Sequence, residues 1–225
     1  MKRVLLVCVA ALALSTEARA ITFLTTQFDV NAVTTADGAP PGIDHASGPP
    51  TPVSAEAVSV GAANIAIAGA IGAPGLLSTS AEASAGGGIA SAAGTSHFLG
   101  TFLMSAAEPL LVLDFSPTSF ASGSGVTSTF LFASLTAGAT TLFDDLITGR
   151  WSYILAPGVT YSLDLTLSSE ASAGLPATFG DASSSGLVAI TSAVPLPAPW
   201  FLLLTGLGPI AVMRKRAAQV RGRVA

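Results

Sequence analysis

Thr160-Tyr161-Ser162-Leu163-Asp164-Leu165-Thr166-Leu167-Ser168 is the stretch on which the fold turns. Tyr161 and the three leucines alternate with hydroxyl residues and one carboxylate. A period of two places the apolar side chains on one face of a strand and the polar ones on the other, so one face is buried and the other wet.

Working outward, the same kind of segment recurs. Residues 151–155 lead into the turn Ala156-Pro157-Gly158, and residues 142–147 precede a Thr148-Gly149 turn. Residues 126–134 carry Phe130, Leu131 and Phe132, and residues 110–115 are apolar but for Asp114 and bounded by Pro109 and Pro117. His97 is expected to begin a strand, and residues 187–191 to make a last short one. Phe98, Phe102, Phe115, Phe130, Phe132, Trp151, Tyr153 and Tyr161 are expected to supply much of the core, since aromatic side chains dominate core burial.

Further toward the N-terminus the side chains shrink. Residues 54–100 are mostly Ala, Ser and Gly with occasional Val and Ile. Alanine favours helix by propensity, but glycine recurs throughout, Pro74 interrupts, and Ala81-Glu82-Ala83-Ser84-Ala85 alternates with period two. The pattern predicts short strands whose small side chains suit closely packed sheet faces or a repetitive surface layer. Residues 21–53 are rich in turn formers such as Ala36-Asp37-Gly38 and Gly48-Pro49-Pro50. One strand is expected over residues 22–30, then a loop or extended linker. Short strands between Gly, Pro and Ser turns, with no amphipathic helix, predict an all-β domain over residues 54–193, an antiparallel β-sandwich or jelly-roll-like fold.

Charge is segregated along the chain. Of nine basic residues only Arg150 lies between residues 21 and 193, against twelve acidic ones, a formal charge of −11 there. Nucleic-acid binding, which needs Lys and Arg clusters, is excluded. Cys8 is the only cysteine and lies in the N-terminal apolar run, so thiolate chemistry and disulfides are excluded once that run is removed.

No constellation for catalysis emerges. Asp144-Asp145 reads as a solvated turn or an ion pair with Arg150, because neighbours in a strand point to opposite faces. Asp164 reads as a solvated residue on the wet side of its strand. His45 and His97 are far apart in sequence, without metal-ligand spacing. Ser124 in Gly123-Ser124-Gly125 lacks the preceding glycine of a nucleophile elbow, and no phosphate-binding loop, dinucleotide fingerprint or calcium loop occurs. No catalytic residue, cofactor or metal site is assigned, although Asp37 and Asp44 are of the right type for calcium.

The two ends read as addresses. Met1-Lys2-Arg3 is a positive start, residues 4–14 are an apolar run, and Ala18-Arg19-Ala20 is a small-x-small site. This predicts a secretory signal peptide over residues 1–20, cut by signal peptidase after Ala20 on export through the Sec machinery. Eleven residues span only about half of a ~30 Å hydrocarbon core. Residues 194–225 form the other address: Val194-Pro195-Leu196-Pro197-Ala198-Pro199, an apolar run over residues 200–213, then Arg214-Lys215-Arg216. Trp200, Phe201, Leu202, Leu203, Leu204, Leu207, Ile210, Val212 and Met213 are expected to form a single transmembrane helix of about 21 Å, a marginal span weakened by Gly206, Gly208 and Pro209. The basic cluster predicts a cytoplasmic C-terminus.

These last residues resemble the PEP-CTERM class of sorting signals, in the variant whose motif reads V-P-L-P-A, matched here at Val194, Pro195, Leu196, Pro197 and Ala198. The resemblance covers roughly the last thirty residues. It implies that a membrane-embedded exosortase of a Gram-negative bacterium recognises and cuts the tail. After transient anchoring in the inner membrane, the protein would pass to the cell surface or an exopolysaccharide matrix. The chain would then be a substrate and not itself an enzyme, with a structural or adhesive role. Its alternatives are an extracellular carbohydrate-binding module or glycan-active enzyme on the same fold, or a permanently anchored surface protein.

Overall fold

The computed structural model describes residues 19–48, 52–107, 109–174 and 179–193, with side chains from residue 21 onward. Every regular element among them is a strand. In chain order these are β1 (Arg19–Ala20), β2 (Phe23–Ala36), β3 (Gly42–Gly48), β4 (Val53–Val60), β5 (Asn64–Ala73), β6 (Leu76–Gly86), β7 (Ala90–Leu103), β8 (Leu110–Gly123), β9 (Val126–Ala137), β10 (Thr140–Ile147), β11 (Arg150–Ile154), β12 (Thr160–Ala173) and β13 (Phe179–Ala193). The expected helices, over the signal peptide and over residues 200–213, lie outside the described residues.

The strands form two antiparallel sheets. One runs β11-β8-β13-β6-β5-β4, with β1 beside β13, and the other β10-β9-β12-β7-β2-β3. The opening stretch lies in β12, at the middle of the second sheet, where Tyr161, Leu163, Leu165 and Leu167 are all buried.

Two cores lie between the sheets, and they differ in kind. Phe28, Leu77, Phe98, Phe102, Leu111, Leu113, Leu131, Leu163 and Leu165 belong to one, contributed by both sheets. The other is almost entirely alanine, including Ala32, Ala57, Ala68, Ala83, Ala92 and Ala171, with Val30. Long strands cross from one to the other: β7 buries Phe98 and Phe102 toward its end but Ala90 and Ala92 at its start. The domain is therefore thick at one end and thin at the other. In the thin half the sheets come within backbone contact: a Cβ placed on Gly94 would meet the carbonyl oxygens of Gly69 and Ser80 in the opposite sheet. Only hydrogen fits there.

Hydroxyl groups fasten the thin half. Thr79 Oγ1 and Ser169 Oγ are 2.7 Å apart and buried between the sheets. Ser184 Oγ donates to Glu170 O at 2.8 Å, and Ser96 Oγ donates to Ile71 O at 3.1 Å. Each bond crosses from one sheet to the other, so these inward hydroxyls are satisfied, whereas Thr26 Oγ1 and Thr129 Oγ1 are buried without a hydrogen-bond partner among the described residues. At the thick end, the Tyr161 hydroxyl accepts from Ala156 N at 2.9 Å and donates to Ala156 O at 3.2 Å, pinning the preceding turn. This is the device of the tyrosine corner. Within that turn Gly158 takes φ +76°, the conformation of the residue after the proline in a type II turn.

Several expectations are corrected. Residues 31–36 and 42–48, expected as loop or linker, complete β2 and form β3. They show no inward aliphatic pattern because β2 here faces the alanine core, where Ala32, Thr34 and Ala36 suffice, while Ile43 of β3 is exposed. His97 lies in the middle of β7 and does not begin a strand. The small-residue strands are long, not short: β7 has 14 residues. The short strand over residues 187–191 is the end of the 15-residue β13. Asp144 and Asp145 lie in strand β10, not in a turn.

Pro117 does not bound β8 either, and the reason is geometric. Phe115 N–H donates to Gly149 O, on the flank of β8 occupied by β11. Nitrogens two residues apart point the same way, so the Pro117 nitrogen faces that flank too. There β11 has already ended, its last partner being Asp114 opposite Arg150. The missing donor falls on an open edge and costs the ladder to β13 nothing.

Candidate functional site

Three places bring together residues capable of recognition. The first lies on the outer face of the β10-β9-β12-β7-β2-β3 sheet. Register sets His97 of β7 opposite Asp29 of β2, and His45 of β3 opposite Asn31. His45 Nε2 lies 3.2 Å from both carboxylate oxygens of Asp29, and His97 Nε2 lies 2.8 Å from Asp164 Oδ1. The result is a row alternating imidazole and carboxylate across four strands. Its members are about half exposed, and ion pairs so placed contribute roughly 0–1 kcal/mol each.

The row does not gather ligands at a point. Among the described residues no three His, Cys, Asp or Glu side chains converge as a metal site would require. Asp37 and Asp44 serve backbone donors: Asp37 Oδ2 accepts from Ile89 N at 3.0 Å, and Asp44 Oδ2 from Glu56 N at 2.9 Å. Ser124 Oγ accepts from Gly174 N at 2.9 Å and donates to Phe179 O at 3.3 Å, which ties down the β8–β9 turn.

The second place is a trough on the outer face of the other sheet, an open depression of about 440 Å³. Ile65 and Ile67 of β5 form one wall and Phe120 of β8 the other, with Glu82, Asp181 and Ser183 between them. Asp181 Oδ1 accepts from Ser84 Oγ at 2.6 Å. Past Ile67 the depression continues over Gly69 between Glu56 and Ser80. Apolar walls over a floor of carboxylates and hydroxyls can seat a ligand with an apolar ring face and polar edges.

The aromatic side chains divide accordingly. Phe98, Phe102, Phe115 and Tyr161 are buried as expected, and Trp151 stacks on Tyr153 at 5.7 Å. Phe130 and Phe132, also expected in the core, are 40% and 37% exposed on the outer face. They alternate with the buried Leu131, and a strand can send only one of its two faces inward. That alternation is visible in Phe130-Leu131-Phe132. Which set turns inward is decided by the neighbouring strands.

The third place is where the chain enters and leaves the domain. Ala20 lies in β1, which pairs with the end of β13, Arg19 opposite Ser192 and Ala20 opposite Thr191. β13 ends at Ala193, immediately before Val194. Ala18, the motif Val194 to Ala198, the apolar run and the basic cluster all lie outside the described residues. No protein-family model matches the chain, and no curated protein matches its sequence.

Proposed function

We propose that this chain is a non-enzymatic exported protein of the cell surface or biofilm matrix, in which an antiparallel β-sandwich is delivered by a removable signal peptide and sorted by exosortase cleavage at its V-P-L-P-A tail. The observation that carries this reading is the match between the folded unit and the two addresses. Apart from the two-residue β1, which leaves with the signal peptide, the strands run from Phe23 to Ala193, so the last described strand ends just before Val194, and cuts after Ala20 and at the motif would leave the other twelve strands whole. The acidic, cysteine-free composition of that unit suits export without oxidative folding.

The test is the fate of the tail in the native host. Replacing Pro195 and Pro197 by Ala should leave the protein membrane-bound at the mass of residues 21–225, whereas the wild type loses both residues 1–20 and the segment from about Val194. Normal release of the double variant would end the sorting reading, and a tail retained in the wild type would favour a permanent anchor.

The trough supports a second reading, glycan binding. A sugar ring can lay its apolar face on Phe120 while its hydroxyls donate to Glu82 and Asp181. A glycan array with residues 21–193 separates the readings: binding abolished by Phe120→Ala favours the lectin role, and silence the structural one.

A further inference from the structure

We infer that the folded domain conceals its own signal-cleavage junction, so that the N-terminal peptide has to be removed before β13 docks. The inference rests on the signal-peptide part of the reading above and not on the exosortase part.

The junction is held on both sides of the bond between Ala20 and Ile21. Ahead of it, β1 is laddered to β13. That position exists because β6 runs out: its register with β13 ends at Leu76 opposite Ala189, Gly75 O accepts from Ile190 N at 2.9 Å, and β1 takes up the same flank at Thr191. The opposite flank of β13 is covered by β8 as far as Leu110 opposite Ala193. Behind the bond, Ile21 packs against the large-residue core. Two residues further, Phe23 meets Phe98 at 5.0 Å and Phe102 at 5.7 Å between ring centres. A peptidase cleft takes its substrate as an added extended strand, through the same main-chain groups that β1 already gives to β13. Cleaving the folded chain would require peeling off β1, withdrawing Ile21 and loosening the start of β2 together.

The partner strand makes this a matter of timing. β13 is the last of the described strands, its pairing residues about 170 residues beyond the junction, so the junction stays open until the end of the domain has been delivered. At the usual ~5–20 residues per second of synthesis this gives a window of roughly 10–35 s. Cleavage within the window yields a free domain. A chain that folds first keeps its N-terminal peptide.

The experiment uses the full precursor, residues 1–225, purified in detergent micelles and exposed to purified signal peptidase, with loss of residues 1–20 followed by mass. The folded wild type is compared with a chain unfolded by Leu163→Asp and Leu165→Asp, which leave the sequence around the junction unchanged, fold state being read by circular dichroism. The unfolded chain should be cut at least ten-fold faster. In a folded chain carrying Ser192→Pro and Ile21→Ala, which removes the strand partner and the core anchor, the rate should rise toward that of the unfolded chain. Equal rates for the folded and unfolded chains would overturn this inference alone. No cleavage of either chain would overturn the signal-peptide reading and this inference with it.

Discussion

Thr79 Oγ1 and Ser169 Oγ face each other at 2.7 Å, one from each sheet, in a space closed to water. Removing one partner strands the other, which costs about 1–3 kcal/mol, whereas removing both costs less than the sum. Thr79→Val and Ser169→Ala should each lower the stability of residues 21–193 by that amount in urea unfolding. The double-mutant cycle should give a coupling of about 1 kcal/mol, and additive losses would mean that the pair is not a bond.

The two halves of the core should fail in opposite ways. Leu165→Ala, in the thick half, leaves a cavity and should cost about 2–5 kcal/mol. Gly94→Ala, in the thin half, adds one methyl group against two carbonyl oxygens of the facing sheet and should cost about 1–3 kcal/mol although it enlarges the side chain. Midpoints of thermal unfolding should fall for both variants, and an unchanged or raised midpoint for Gly94→Ala would contradict the close approach of the sheets.

Tyr161→Phe keeps the ring stacked on Phe102, 5.7 Å away, and deletes only the hydroxyl that serves both backbone groups of Ala156. A loss of about 1–2 kcal/mol is expected. Faster amide exchange confined to residues 155–159 would locate it, and unchanged exchange there would contradict the corner role.

Pro117→Thr tests the open edge of β8. The new N–H would point away from β13, so stability should shift by less than about 0.5 kcal/mol. An edge strand that regains a donor becomes a better template for pairing. Sedimentation should show more self-association than in the wild type, and an unchanged monomer fraction would mean that the proline does not guard this edge.

Alternation in Thr160-Tyr161-Ser162-Leu163-Asp164-Leu165 was enough to place β12, and the small residues of 54–100 foretold close sheet packing. Both signals are local, because a strand writes its two faces into its own sequence. The His45, Asp29, His97 and Asp164 row was not legible, since it depends on which residues lie opposite one another across three ladders. β2 beyond Val30 and β3 were missed because strands that face alanine need no aliphatic pattern of their own. Pro117 misled for a related reason: a proline ends a strand only where its nitrogen is needed, and here its flank was empty. The Ala20 and Thr191 pairing was invisible because its partners are separated by almost the whole domain.

The alanine half has a thermal consequence. Alanine and glycine give up almost no rotamer freedom on folding, and a methyl group exposes far less apolar surface on unfolding than Leu or Phe. Heat capacity of unfolding follows that surface. A domain half built this way therefore adds backbone hydrogen bonds at little cost in side-chain order and little curvature in its stability curve. Calorimetry should find a heat-capacity change per residue below the usual ~12–15 cal/mol/K, so that stability varies little between cold and warm surroundings.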